Sequence, residues 1–260
     1  MGHLVTTSPA ARSLHISIGK VPMSLSISEE SLRHKAGSRY HDFSGEPGGG
    51  FQIALNQPSL HSEPSEPSFA YTLEDARLTL RQSHAEFRGV RHEYALDSLI
   101  RILLTVALLP RHGFLLHAAS IVRDGRAYVF MGRSGAGKST TASLSPEGSV
   151  LTDEISLLRF DDGVWRAHGT PFWGEFRAAG HNRDYPVAGI YFLSQSRENK
   201  VVPMKPKEML RAMLPCVLFF SSDPGDNSAL LNILVAFVHH IPCFDLHFRK
   251  EAAFWDAVLQ

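Results

Sequence analysis

The segment Gly132–Ser139, GRSGAGKS, constrains this chain more than any other. It fits G-x-x-x-x-G-K-[ST], a phosphate-cradling loop that works only between a strand and a helix. Gly132, Gly135 and Gly137 let successive backbone N–H groups turn inward toward phosphate oxygens. Lys138 brings a mobile positive charge to the β- and γ-phosphates. Ser139 offers a hydroxyl to a metal, and the helix that follows points its positive end at the same place. Arg133, Ser134, Ala136 and Thr140 complete the expected nucleotide-binding set. Thr140 and Thr141 have two readings, orienting the nucleotide or bonding the backbone at a helix start. The flanks suit the motif, with apolar AYVFMG (127–132) before it and STTASLS after it. A nucleoside triphosphate is therefore the expected ligand, ATP with Mg2+ in particular.

Asp153 and Glu154 lie in the middle of SVLTDEISLL (149–158), which reads as a strand. Charges in a buried strand are costly unless paired or bound to a cation. A Mg2+ ion held by triphosphate and Ser139 is a partner they would suit. Asp153 alternatively accepts the proton of an attacking hydroxyl, the carboxylate's task in a kinase. The plainer alternative is an exposed strand end carrying surface ion pairs. The acids stand fifteen residues beyond Lys138, and no LSGGQ occurs, which argues against a transporter motor. The sole Asn-Lys pair, Asn199-Lys200, is followed by Val-Val, so the GTPase NKxD motif is missing too. A small phosphotransferase fits this spacing.

Other features narrow the class. Lys+Arg and Asp+Glu both number 26, so no basic excess points to nucleic acid. With 43% hydrophobic residues and 16 Phe, the chain has the makings of a packed core. Cys216 and Cys243 sit in apolar surroundings outside any CxxC pair, so they read as small buried hydrophobes in a reducing compartment. The opening MGHLVTTSPAARS has no apolar region of signal-peptide type. Leu99–Leu109 is apolar but interrupted by Arg101, and too short to span a bilayer. A soluble, cytoplasmic protein without a membrane partner is expected.

Along the chain, HISI (15–18), SLSIS (24–28) and FQIAL (51–55) read as short strands separated by turn-rich GEPGGG (45–50) and HSEPSEPS (61–68). Tyr94–Leu109 has helical apolar spacing and ends at Pro110. This helix marks a boundary between a strand-rich region, 1–93, and a nucleotide domain, 94–260. FLLHAASIV (114–122), the DGR turn and AYVFMG form a hairpin leading into the loop. GIYFLSQ (189–195) and CFDLHFR (243–249) read as strands. PKEMLRAMLPCVLFF (206–220), NSALLNILVAFVHH (227–240) with an Asn or Ser cap, and the closing EAAFWDAVL read as helices.

The run LLHAASIVRDGRAYVFMGRSGAGKSTTASL, followed by SVLTDEISLL, resembles the catalytic domain of the HPr kinase/phosphorylase family. The nearer resemblance is to HPr-kinase-like proteins found beside genes for ribosomally made, modified peptides, including lasso peptides. It covers residues 114–176 most strongly and continues more loosely to the end. It implies an α/β fold with a mixed sheet, akin to the C-terminal domain of phosphoenolpyruvate carboxykinase. It also implies phosphorylation of a Ser or Thr hydroxyl on a peptide or small protein, and assembly into a homo-oligomer. Carried over, Asp153 is the general base, Glu154 a second acid near the metal, and His117 the active-site histidine. Taken alone, His117 reads as an ordinary core histidine. Glu175 matches a metal-facing glutamate, while Arg177 and Arg183 stand near phosphate by position only. The family's Asp-Asp pair is Asp-Glu here, and its HPr-recognition segment is missing after Glu175, so neither HPr nor the reverse reaction is expected. The N-terminal strands would then recognise the acceptor. The competing readings are an ATP-binding scaffold with little or no turnover and a kinase acting on a small metabolite.

Overall fold

The computed structural model describes residues 13–57, 66–146, 148–174 and 180–260. Chain contacts divide into two compact units, residues 1–17 with 22–100, and residues 18–21 with 101–260. The division runs through a helix, between residues 100 and 101, where the sequence expectation set it at 93/94.

The first unit comprises β1 (Ser13–Ile18), β2 (Val21–Ile27), α1 (Glu30–Arg39), β3 (Phe51–Leu55), β4 (Phe69–Leu73), β5 (Ala76–Arg81), β6 (His84–Arg88) and the start of α2 (Glu93–Ala107). Its sheet runs β1-β2-β3-β6-β5-β4, with β3 parallel to both β2 and β6. The three expected strands are present, as is the long helix α2. Helix α1 is an addition: ESLRHKAGSR buries only Leu32, Ala36 and Arg39, too sparse an apolar stripe to show as a period. It is tied by charge instead. The Arg39 guanidinium pairs with buried Asp97 of α2, and the Tyr40 hydroxyl donates to the same carboxylate. Strands β4 to β6 form a meander through turns where Glu74 and Gln82 take positive φ, so no glycine announces them.

The second unit continues with β7 (Gly113–Arg123), β8 (Arg126–Met131), α3 (Lys138–Ser143), β9 (Val150–Thr152), β10 (Ile155–Asp161), β11 (Val164–His168), β12 (Asp184–Gln195) and β13 (Lys200–Pro203). Then come α4 (Pro206–Met213), β14 (Val217–Leu218), α5 (Pro224–His240), β15 (Cys243–Phe248) and α6 (Phe254–Val258). The sheet order is β11-β10-β7-β8-β12-β15-β13, with β9 and β14 also on β7 and a further β11–β12 pairing. Strand β12 is parallel to β8 and to β15, while the other pairings of this sheet among the described residues are antiparallel. The unit is thus mixed α/β.

Two aromatic clusters set the core. Phe114, Trp165 and Phe237 meet edge to face, with centroids 5.3 and 5.0 Å from Phe237. Elsewhere Phe130, Tyr191 and Phe244 stack across three neighbouring strands at 5.3 and 5.0 Å. Such pairs add about 0.5–1.5 kcal/mol each beyond area burial.

Several element boundaries differ from expectation for local reasons. Pro215 ends α4 early, so Leu214–Cys216 is a 3-10 turn and Val217–Leu218 a short strand. Helix α5 starts sooner, capped by Asp223, whose carboxylate accepts from the Asp226 N–H, with Pro224 at the first position. The acids 153–154 do not lie within one strand but at a bend between β9 and β10. Both cysteines are free thiols, Cys243 buried and Cys216 half-buried. Burial raises the Cys243 pKa to about 11. No helix among the described residues is long and apolar enough to cross a membrane.

His168 of β11 is 3% exposed, and burial lowers its pKa from 6.5 to about 4, with Lys20 and Arg159 adding to the effect against Asp184 and Asp161. The folded state therefore stays unprotonated there while the unfolded chain takes up a proton below pH 6.5. Its stability contribution is complete above that pH and is lost as pH falls toward 4. At about 1.4 kcal/mol per pH unit the loss is roughly 3 kcal/mol. Denaturant unfolding at pH 7 and pH 4 checks this, with His168→Gln showing a smaller loss over the same interval.

Candidate active site

Strand β8 delivers the chain into the 132–137 loop, and α3 leaves it at Lys138. The helix is only six residues long. Hydroxyls in and just beyond it bond the backbone: Thr141 donates to the Lys138 carbonyl at 2.7 Å, Ser143 to the Thr140 carbonyl at 2.9 Å and Ser145, past the helix end, to the Thr141 carbonyl at 2.6 Å. Such bonds compete with helix propagation and suit a short turn. Thr141 thus has the backbone-bonding role, while Thr140 faces the cavity.

That cavity measures about 440 Å³. Ser134, Gly135, Gly137, Lys138, Ser139 and Thr140 line it from the loop. Gly132, Arg133 and Ala136 do not. Instead, the Lys138 ammonium donates to the carbonyls of Gly132 at 3.0 Å and Arg133 at 3.4 Å. Ala136 is buried, and the Gln195 amide at the end of β12 donates to the Gly135 carbonyl at 2.8 Å, bracing the loop. Burial lowers the Lys138 pKa, against the opposing influence of Cys216 and Glu154.

Facing the loop are His117 of β7, Asp153, Glu154 and Gly174. The acids share one bend because their neighbours are pinned. Ser120 pairs with Thr152 and His117 with Ile155, so one register holds on both sides of the interruption. The Ala118 N–H donates to the Glu154 carbonyl at 2.9 Å. Thr152 and Thr170 both donate to the Ile155 carbonyl, at 3.1 and 2.7 Å. Ser156 bonds the Ala118 carbonyl at 2.9 Å and the Ser120 hydroxyl at 2.7 Å. In the sequence these buried hydroxyls look like ordinary strand residues and carry no signal of their own. Asp153 is 3% exposed, and its Oδ1 accepts from the Gly174 N–H at 3.2 Å.

His117 is half-buried, and its pKa falls below the usual histidine range. Burial is the main cause, followed by the charges of Lys138 and Arg101, the latter stacked 4.9 Å over Phe172. All three influences disfavour the protonated imidazole. Lys250, from the segment after β15, also lines the cavity, a residue with no sequence signal. Glu175 and Arg177 lie outside the described residues. Arg183 does not join the group; it lines a separate cavity of about 260 Å³ with Ser149, His181 and Tyr185.

No group of three or more His, Cys, Asp or Glu suited to a metal occurs among the described residues. Besides His117, the cavity offers the carboxylates of Asp153 and Glu154 and the hydroxyls of Ser134, Ser139 and Thr140, which are hard oxygen donors. Mg2+ bound with nucleotide takes one or two carboxylates, phosphate oxygens and water rather than a protein cage, so this donor set fits it.

No curated protein matches the sequence. Among 38 matching chains of solved structures is the Hpr(Ser) kinase/phosphatase from Coxiella burnetii, at 14% identity and a TM-score of 0.28, covering 48% of this chain and 90% of that one. Residues 92–260 match the family model described as SynChlorMet cassette protein ScmC. That match spans more than half of the chain, which therefore belongs to the ScmC family.

Proposed function

We propose that this chain is an ATP-dependent phosphotransferase that moves the γ-phosphate to a Ser or Thr hydroxyl of a peptide or small protein, with a ribosomally made precursor peptide as the leading acceptor. Residues 94–260 would form an HPr-kinase-like P-loop domain, and 1–93 would take part in acceptor recognition. The observation that carries this reading is one cavity bringing Lys138 and Ser139 together with Asp153, Glu154 and His117. Membership of a family of cassette proteins suits a step performed alongside other cassette products.

In this reading the loop amides hold the phosphates, and the Lys138 ammonium exchanges its carbonyl partners for phosphate oxygens. Mg2+, held by Ser139 and Glu154, would neutralise charge on the transferred group. Asp153 takes the proton of the acceptor hydroxyl as the new O–P bond forms and the bond to the bridging oxygen breaks, releasing ADP. Neutral His117 stands beside this exchange without adding positive charge.

The test is incubation of the full chain with γ-labelled ATP, Mg2+ and precursor peptides encoded beside it, with HPr and free serine as comparison acceptors. Label on a Ser or Thr of the peptide is expected. Transfer to none of these acceptors overturns the reading.

A further inference from the structure

Strand β15 ends at Phe248, whose ring underlies the phosphate loop: a Cβ added to Gly137 would lie 2.7 Å from it. The next three residues are clamped. The Arg249 N–H donates to the Asn199 side-chain oxygen at 2.8 Å, and the Asn199 amide donates to Glu251 at 3.1 Å. The Glu251 N–H closes back on the Arg249 carbonyl at 2.7 Å, while their side chains pair at 3.3 Å. Arg249 and Glu251 thus satisfy each other. Lys250 between them lines the phosphate cavity and has no ion pair among the described residues. Lys138 is buried in the cavity, whereas Lys250 is exposed at its rim.

We propose that Lys250 is a second cation of the phosphate site that favours triphosphate over diphosphate, and that Asn199 is its positioning residue. The proposal rests on the nucleotide reading above. Attraction to a point charge grows with the ligand's own charge, so a second ammonium favours the more highly charged ATP over ADP. Asn199 acts at one remove, holding the turn that presents the lysine.

The experiment measures the affinity of the full chain for ATP and for ADP, each with Mg2+, at two salt concentrations. Lys250→Met is expected to weaken ATP about tenfold and ADP less than about threefold, with the difference shrinking at high salt. Lys250→Arg retains the ATP preference. Asn199→Ala loses part of it, a change in ratio that a merely structural role would not produce. If wild type binds ATP and Lys250→Met leaves the ATP-to-ADP ratio unchanged, the proposal fails alone. If wild type binds neither nucleotide, the nucleotide reading fails and takes this one with it.

Discussion

Asp153→Asn is expected to lower phosphate transfer about 10²–10⁴-fold, the contribution typical of a positioned general base, while ATP binding in the presence of Mg2+ stays within about threefold of wild type. The substitution is close to isosteric. An amide oxygen at the Oδ1 position still accepts from the Gly174 N–H, so the contact seen at 3.2 Å survives. What disappears is the ability to take a proton. Glu154→Gln should act differently, raising the Mg2+ concentration needed for half-maximal transfer. Single-turnover transfer and equilibrium binding of ATP, measured on the same variants, separate the two roles. The scaffold reading makes the opposite forecast, with Asp153→Asn preserving cellular function and Lys138→Ala abolishing it. Loss of nucleotide affinity in Asp153→Asn equal to its loss of transfer would move this carboxylate from base to metal ligand.

The sequence made legible what is local. The loop from Gly132 to Ser139, the hairpin leading into it and the acids soon after it are neighbours along the chain, so spacing alone brings them together. Lys250 was illegible because β15 must first pair with β12, and β12 with β8, before its following turn reaches the loop. The bend at Asp153–Glu154 was hidden for a related reason. It depends on Thr170 of a later segment bonding the Ile155 carbonyl, which no local period encodes. Helix α1 escaped because its hold is a buried Arg39–Asp97 pair rather than an apolar stripe. Arg183 shows the reverse error, where proximity in sequence suggested a phosphate neighbour and the fold carries it to another cavity.

Gly137→Ala should reduce ATP affinity by at least about 100-fold, because the loop has no room for a side chain there. Gly137 has φ of 120°, a conformation L side chains rarely adopt, and it stands just ahead of Lys138 as the cap of α3. Holding alanine there costs about 1–3 kcal/mol. Its methyl would also meet the Phe248 ring at 2.7 Å, and that ring is fully buried, so it has little room to yield. Overpacking of this kind costs about 1–3 kcal/mol more. The loop relieves both by moving, which turns its amides away from the phosphates. About 3 kcal/mol at 1.4 kcal/mol per tenfold gives the stated loss. Adding Phe248→Leu to the variant tests the division, since it removes ring atoms but leaves the backbone strain. Partial recovery of ATP binding, measured by equilibrium dialysis, is therefore expected from the double variant. Affinity of Gly137→Ala equal to wild type would mean that the seat of Phe248 under the loop has no part in shaping the phosphate cradle.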